Sequence, residues 1–144
     1  DLVRSRGLGD VYKRQPKEVI RLLNERKNQI YAVRGNCEAE VDQMVLDFPV
    51  MADYCILAIE GKTMYATHGH IYNKDNLPPM MDGDVLIHGH THVLKAENMG
   101  NYILLNPGSV SIPKEGNPPT YAILENGIFT IKDFEGNTVR EITL

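Results

Sequence analysis

Residues 84–92 of the chain read DVLIHGHTH, and the rest of the sequence is best understood outward from this stretch. Its first half is short, apolar and bounded by polar residues, which is typical of a buried strand. Its second half holds His88, His90 and His92, three of the five histidines in the chain. Neutral imidazole offers a free lone pair and is the commonest metal ligand in proteins. The stretch therefore predicts a strand that ends in a metal-binding loop.

Two further polar loops follow strand-like runs. One run ends at His68, and another, the short apolar run 30–33, is followed by Asn36. In open α/β sheets, ligands gather at the carboxyl ends of adjacent strands. On an extended loop His90 and His92 would point to the same side, because side chains alternate with a period of two. We expect Asn36, His68, His90 and His92 to form a metal site at one sheet edge.

The donor atoms of these four residues are neutral nitrogens and one amide oxygen. Such a set suits manganese, iron or zinc better than calcium. Two divalent ions held about 3.5–4 Å apart would also need an anionic bridge, usually a carboxylate. The acidic residue nearest in sequence, Glu38, is better placed to orient its loop than to bridge two ions. A two-metal site built from this chain alone would therefore be incomplete.

The other two histidines are open to more than one interpretation. His88 would alternate away from His90 if the strand continued regularly, so we interpret it as a packing residue or a support for the ligands. His70 follows His68 by two residues and is equally compatible with contacting a substrate or being merely exposed. Neither is included in the predicted ligand set.

The apolar periodicity predicts a mixed α/β domain. A helix from Pro16 to about Lys27 and a second one over 38–47 carry one apolar face each. The predicted strands cover 30–33, 54–60, 62–68, 84–87, 102–105, 121–125, 128–134 and 138–144, with turns at Gly61 and Asn126-Gly127.

Composition restricts the class of protein. The chain has 144 residues, 42% of them hydrophobic, with a net charge of −4 and only two cysteines. It has no apolar run long enough to span a membrane and no basic stripe, so we expect neither a membrane partner nor a large nucleic-acid surface, although a nucleotide could bind through metals. So few cysteines predict a reducing, cytoplasmic location. A small phosphorylated ligand and self-association remain compatible with these features.

The first fifteen residues differ from the rest. Residues 1–15 are basic, lack any clean periodicity and resemble the translation of a transposase adaptor, so we predict a non-native segment there and a partial domain over 16–144. Asp10 follows a glycine and imitates a strand-end metal motif, but we exclude it from the ligand set for this reason. A natural basic N-terminal arm is the alternative.

Four motifs carry a resemblance to a known family. They are GNCE at 35–38, THGH at 67–70, GHTH at 89–92 and NPGSVS at 106–111 followed by Pro113-Lys114. In this order and spacing they resemble the later motifs of the calcineurin-like metallophosphoesterases, in particular the small bacterial and archaeal phosphodiesterase branch. The resemblance implies an αββα sandwich, here lacking the N-terminal strands and helix.

The resemblance also implies roles for individual residues. Asn36, His68 and His90 would hold one divalent ion and His92 the other, with manganese expected and zinc or iron as alternatives. Family members supply the bridging aspartate from N-terminal Asp-x-His and Gly-Asp motifs. This sequence contains no Asp-x-His, and its only Gly-Asp in the expected place lies in the adaptor-like segment.

Cys37 occupies the position at which the wider superfamily often has a histidine, which is a candidate acid for the leaving group, whereas the small phosphodiesterase branch commonly has a cysteine. A thiol with a pKa near ~8.5 is a poorer proton donor than imidazolium. Cys37 is therefore a candidate catalytic acid for good leaving groups, or a residue that only shapes the pocket.

The functional prediction is hydrolysis of a small or nucleotide-like phosphodiester by a metal-activated water at a two-metal site. The alternatives are a non-catalytic scaffold of the same fold, since some relatives serve that role, and an inactive fragment that holds only part of the site.

Overall fold

The computed structural model describes residues 16–36 and 40–144. The first described elements are α1 (Pro16–Glu25), a 3-10 helix (Lys27–Gln29) and α2 (Glu40–Val45). Both predicted helices are confirmed, and the two pack on a small apolar cluster that includes Leu46, Phe48 and Val50. Predicted strand 30–33 is part of this packing but does not form a strand.

A mixed sheet of five strands forms the centre of the molecule. Its strands are β1 (Tyr54–Ile59), β2 (Lys62–Thr67), β3 (Val85–His88), β4 (Lys95–Asn98) and β5 (Ile103–Asn106), in the spatial order β1-β2-β3-β5-β4. Strands β2, β3 and β5 are parallel, whereas β1 and β4 run antiparallel at the two edges. The carboxyl ends of the three parallel strands therefore meet at one edge, where the predicted ligands lie.

Strand β4 was not predicted from the sequence. Its residues, Lys95–Asn98, are half-buried or exposed and carry no apolar alternation. An edge strand needs a partner on one side only and tolerates charged side chains, so its composition gives little signal. Here β5 supplies the backbone ladder.

A second sheet packs on the first. It is an antiparallel meander of β6 (Thr120–Glu125), β7 (Ile128–Asp133) and β8 (Thr138–Thr143). Asn126 and Gly127 both have positive φ, of 53° and 74°, which is the twist that a two-residue hairpin turn requires. The hairpin predicted at these residues is confirmed.

The main core lies between the two sheets. Met64, Val85 and Leu105 of the five-stranded sheet pack in one cluster with Phe129 and Ile131 of the meander. A second cluster covers the opposite face of the large sheet. Two face-packed sheets with helices agree with the predicted α/β class and sandwich.

Segment 30–33 differs from its prediction as a buried strand. Ile30 is extended (φ −117°, ψ 128°), but no ladder forms over these residues in the part of the chain that the structure describes. Tyr31 is 81% exposed. A strand needs a neighbour to satisfy its backbone groups, and none of the described strands pairs with this segment.

None of the helices in the described ranges has the length and apolar character needed to cross a membrane.

Candidate metal centre

Three of the four predicted ligands converge at the carboxyl edge of the large sheet. His68 follows β2, His90 follows β3, and Asn36 lies in the loop after segment 30–33. The His68 Nε2 atom lies 3.0 Å from Asn36 Oδ1 and 3.2 Å from His90 Nδ1. The His68 and His90 rings are 5.1 Å apart. The predicted meeting of Asn36, His68 and His90 is therefore observed.

His92 lies on the same cavity but faces a different partner. Its Nδ1–H donates a hydrogen bond to the Ile112 carbonyl at 2.8 Å. A carbonyl oxygen can only accept, so this contact places the proton on Nδ1 and leaves the lone pair on Nε2. Metal-binding histidines are commonly oriented in this way by the nitrogen that does not bind.

The loop that carries His90 and His92 is not extended, so the reasoning that placed both on one side by alternation is wrong. Both residues have left-handed backbone, with φ of 68° and 61°. The Thr91 amide donates to the Gly89 carbonyl at 2.8 Å, which closes a tight bend. Such conformations cost free energy in non-glycine residues and cluster at functional sites. The bend still leaves both imidazoles on one cavity.

Asn106, at the end of β5, holds this bend in place. Its Nδ2 donates to the Gly89 carbonyl at 3.2 Å and to Thr91 Oγ1 at 3.1 Å, while its Oδ1 accepts from the Gly108 amide at 2.9 Å. The side chain is buried, so each of these groups would be costly to leave unpaired. Sequence reasoning did not assign Asn106 this role, although a polar residue that ends an apolar strand before Pro-Gly was a usable signal.

The loop that contains Ile112 is fixed from two directions. The Ile112 amide donates to Ser109 Oγ, and the Lys114 amide donates to the His92 carbonyl. At its start, Thr120 Oγ1 donates to the Pro107 carbonyl at 2.7 Å and ties the loop to β6. The carbonyl that orients His92 therefore has a fixed position.

His88 and His70 support the centre in different ways. His88 is buried and its Nδ1–H donates to the Gly89 carbonyl at 2.9 Å, which agrees with the packing interpretation. The His70 ring lies 5.3 Å from that of His68 and 6.3 Å from that of His90. Its Nδ1 is buried and has no hydrogen-bond partner in the described part of the chain. His70 is thus half-buried against the ligands rather than merely exposed.

The cluster favours neutral imidazoles. Burial lowers the pKa of His68 from its usual 6.5 to about 4, with further lowering by His90 and the other nearby histidines. The pKa values of His88 and His90 are also lowered, in both cases mainly by burial. Removing water disfavours the charged form of a histidine. At neutral pH these rings therefore keep the lone pair that a metal needs.

The cavity beside the centre is apolar. It has a volume of about 530 Å³ and opens between the two sheets, with His68, His90 and His92 in one wall and Met64, Phe129 and other apolar side chains in the rest. No Asp or Glu is among the described residues that line it.

The donor atoms that are present fit the uncharged ligands of a divalent-ion site. An amide oxygen and imidazole nitrogens within hydrogen-bonding distance suit manganese, iron or zinc, and the orphaned His70 Nδ1 is a further polar atom without a partner. Within residues 16–36 and 40–144, however, no group of three or more His, Cys, Asp or Glu side chains could hold an ion. Asn36, His68 and His90 are therefore candidate ligands that do not by themselves make a complete site.

Cys37, the predicted catalytic residue, lies outside the described residues, as do Glu38 and residues 1–15.

Comparison with known proteins identifies the family. The sequence pattern of the calcineurin-like phosphoesterase superfamily domain matches residues 6–127. The chain belongs to the calcineurin-like phosphoesterase superfamily. Within this superfamily it is 46% identical over 116 residues to the phosphodiesterase YfcE of Escherichia coli K12, a match that covers 81% of this chain and 63% of that protein. The resemblance inferred from the four motifs is confirmed.

Other similar proteins agree with this fold. A probable metallophosphoesterase of Bacillus subtilis, YsnB, is 27% identical over 121 residues, which cover 76% of this chain and 67% of YsnB. The structure of the E. coli phosphoesterase Yfce superposes with a TM-score of 0.86 at 41% identity, over 90% of this chain and 71% of that one. Vacuolar protein sorting 29 from Cryptosporidium parvum shares the fold alone, with a TM-score of 0.57 at 19% identity over 89% of this chain and 77% of its own. The fold prediction is confirmed.

Proposed function

We propose that this chain carries the later half of a two-metal phosphodiesterase centre. The proposal rests on one observation. Asn36 Oδ1 and His90 Nδ1 lie 3.0 Å and 3.2 Å from His68 Nε2, at one edge of the sheet. It is supported by the family and by the name of the E. coli relative, a phosphodiesterase. The chain spans 63% of the length of that relative, so the activity belongs to the proposal and not to the comparison.

The ligand roles follow the sequence prediction. Asn36, His68 and His90 hold one divalent ion and His92 contributes to the other, with manganese expected and zinc or iron as alternatives. A pair of such ions supplies an activated water and neutralises charge on the phosphate oxygens of the substrate.

The chain's own residues prepare this chemistry. The low pKa of His68 keeps its ring neutral at physiological pH, and the Ile112 carbonyl fixes His92 in the tautomer that exposes Nε2. Asn106 holds the bend between β3 and His92 so that two strained residues stay in place. Preorganised ligands avoid reorganisation at the moment of reaction.

The proposed centre needs two more functional groups, a bridging carboxylate and a group that acts on the leaving group. The resemblance to the family implies that a bridging aspartate comes from N-terminal Asp-x-His and Gly-Asp motifs, and no Asp or Glu is among the described residues that line the cavity beside His68, His90 and His92. Cys37 follows a proposed ligand directly and either donates a proton to the leaving group or shapes the pocket. Because a thiol is a poorer proton donor than an imidazolium, proton donation by Cys37 favours substrates with good leaving groups.

The test uses the protein that is expressed from the gene with its natural upstream sequence. The purified protein is loaded with manganese. Bis(4-nitrophenyl) phosphate is the substrate, His90→Ala is the variant, and Glu125→Ala, an exposed residue of β6, is the control. We expect His90→Ala to lose at least about 100-fold in kcat/KM while Glu125→Ala keeps its rate. Equal rates for His90→Ala and the parent would refute the metal role. No hydrolysis by the parent, together with a stoichiometric protein partner and no retained metal, would favour the scaffold alternative.

A cytoplasmic location and self-association stay predictions from the sequence. The first is checked by fractionating cells and the second by sedimentation of the purified protein.

A further inference from the structure

A second cavity adjoins the metal centre at His90. Its volume is about 640 Å³, and Gly69, His88, His90 and Thr91 form the wall that it shares with the centre. The first cavity is largely apolar, whereas this one combines the apolar side chains of Val93, Leu94 and Leu104 with six charged residues. These are Lys74, Asp75, Lys95, Glu97, Glu115 and Arg140. Neither the family assignment nor the ligand set accounts for it.

One wall is the loop after His70, and its own hydrogen bonds hold it in shape. Asn73 Nδ2 donates to the Gly69 carbonyl at 3.1 Å, and Asn73 Oδ1 accepts from the Asp75 amide at 2.9 Å. Gly69 has a φ of 116°, and a Cβ there would come within 2.8 Å of His88 Nδ1. Glycine therefore lets this loop lie directly against the end of β3, which places Lys74 and Asp75 over the cavity.

The opposite wall is the turn at 114–117. Asn117 donates to the Lys114 carbonyl from its Nδ2 at 2.9 Å and from its backbone amide at 3.3 Å. Glu115 in this turn has a φ of 58°, a conformation that the closed turn enforces. The same turn is tied to the His92 carbonyl through the Lys114 amide. The position of this wall is thus coupled to the metal-binding loop.

The floor comes from the two sheets. Lys95 of β4 forms a long ion pair with Glu97 at 3.9 Å, and Arg140 of β8 lies at the same cavity. Neither Arg140 nor Lys74 forms an ion pair within the described ranges. Two cations are therefore available to a ligand, in a pocket whose walls are already formed.

The charge pattern narrows the class of ligand. Three cations and three carboxylates line the cavity, so a second phosphate would face the carboxylates and an amine would face the cations. No Phe, Tyr or Trp is among the described residues that line it, so a nucleobase would lack the aromatic partner on which bases commonly stack. A hydroxyl group both donates and accepts, and it can therefore pair with either sign of charge. A neutral, polyhydroxylated group satisfies this lining best.

We propose that this cavity binds the polyhydroxylated alcohol arm, of glycerol or sugar type, of a phosphodiester whose phosphate lies at the metal centre. The proposal rests on the proposed function, which places the phosphate at the metal centre. His90 lines both cavities, so the second cavity adjoins that position. Lys74 and Arg140 donate to hydroxyl oxygens of the arm, and Asp75 and Glu115 accept from its hydroxyl hydrogens. The cavity therefore binds an arm with several hydroxyl groups more tightly than an arm with none.

Binding is tested first without any catalysis. The metal-free chain is labelled with ¹⁵N and titrated with methyl glucoside, and separately with adenosine. We expect saturable amide shifts at Lys74, Lys95, Asn117 and Arg140 with methyl glucoside, at millimolar concentrations, and none of these with adenosine. Shifts that are absent, scattered over the surface, or equal for adenosine would overturn the proposal.

Specificity is tested in the manganese-loaded protein with its natural upstream sequence. The substrates are the 4-nitrophenyl phosphodiesters of glycerol, of methanol and of thymidine, which share one leaving group. We expect Arg140→Ala and Lys74→Ala to raise KM for the glycerol ester about tenfold and to leave the methyl ester unchanged, since hydrogen bonds to charged groups contribute about that factor. Lys27→Ala, on the exposed 3-10 helix, is the control.

The outcomes separate the two proposals. Hydrolysis of all three esters with no change in relative KM in the variants overturns the cavity assignment and leaves the proposed function intact. Absence of hydrolysis overturns the proposed function, and the amide shifts then decide whether the cavity binds polyols. A thymidine ester that outperforms the glycerol ester, and that loses this advantage in Arg140→Ala, would assign the cavity to a nucleoside instead.

Discussion

Strand β3 and segment 30–33 have similar sequences and different structures. Residues 85–88 read VLIH, and residues 30–33 read IYAV. Strand β3 pairs with β2 on one side and β5 on the other, and Leu86 is fully buried. Segment 30–33 has no ladder within the described residues, and Tyr31 is 81% exposed. Apolar, β-branched composition alone does not make a strand.

The difference shows that a strand is a property of a pair of segments. Its backbone groups must be satisfied by neighbours, and its side chains pack against residues distant in sequence. Each segment also leads to a proposed ligand, since His90 follows β3 and Asn36 follows 30–33. We therefore expect the two parts of the proposed metal centre, the loop with Asn36 and the loop with His90, to differ in rigidity.

Backbone amide exchange should show the largest contrast. The amides of Leu86 and Ile87 lie in a central strand, whereas those of Tyr31 and Ala32 donate no hydrogen bond in the described part of the chain. We expect roughly a thousandfold or greater difference in protection, because central strands open only with global unfolding. Hydrogen–deuterium exchange followed by NMR measures it, and comparable protection of Tyr31 and Leu86 would contradict the comparison.

Truncation of one side chain in each segment should give the next largest effect. Leu86→Ala leaves a cavity in the core and is expected to lower the free energy of unfolding by about 2–5 kcal/mol. Tyr31→Ala, the matched change at an exposed site, should stay within about 0.5 kcal/mol. Urea unfolding followed by circular dichroism measures both. A loss at Tyr31 as large as that at Leu86 would show that segment 30–33 is packed as a strand.

Glycine replacement tests how closely the loop after β2 lies against the end of β3. A Cβ at Gly69 would lie 2.8 Å from His88 Nδ1 and 3.1 Å from the Gly89 carbonyl oxygen. Gly61, in the β1–β2 turn, also has a positive φ but nothing within 4 Å of a built Cβ. We expect Gly69→Ala to destabilise by about 1–2 kcal/mol more than Gly61→Ala, since overpacking adds to the backbone cost. Thermal unfolding of the two variants measures the difference, and equal losses would show that the contact is not tight.

Metal affinity should show the smallest contrast. Asn36 contributes a neutral oxygen from the segment without a ladder, whereas His90 contributes a nitrogen from a loop held by Asn106. We expect Asn36→Ala to weaken zinc binding by about tenfold and His90→Ala by about tenfold more. Competition with a chelator of known affinity measures both variants. A larger loss of zinc affinity in Asn36→Ala than in His90→Ala would contradict the expectation that the loop with His90 is the more rigid of the two.

Much of the fold and the centre was predictable. The apolar periods located both helices and seven of the eight strands, and three strand-like runs followed by polar residues indicated that Asn36, His68 and His90 meet, although one of these runs, 30–33, forms no strand. The charged edge strand β4 gave no signal because it packs on one side only. The bend at His90 and His92 was missed because left-handed backbone in a histidine is not encoded by residue type. The role of Asn106 was missed because its partners lie 15 and 17 residues away.

By itself, the sequence determined the family and predicted the donor set with its order along the chain, because these depend on residue types and spacing. It also showed that none of the predicted ligands Asn36, His68, His90 and His92 is a carboxylate, so the proposed two-metal site needs one from other residues. Only the tertiary structure decided which donors touch, which nitrogen of His92 is free, and that a charged second cavity adjoins His90. These depend on the parallel register of β2, β3 and β5, which brings distant loops to one edge and is set by packing between strands.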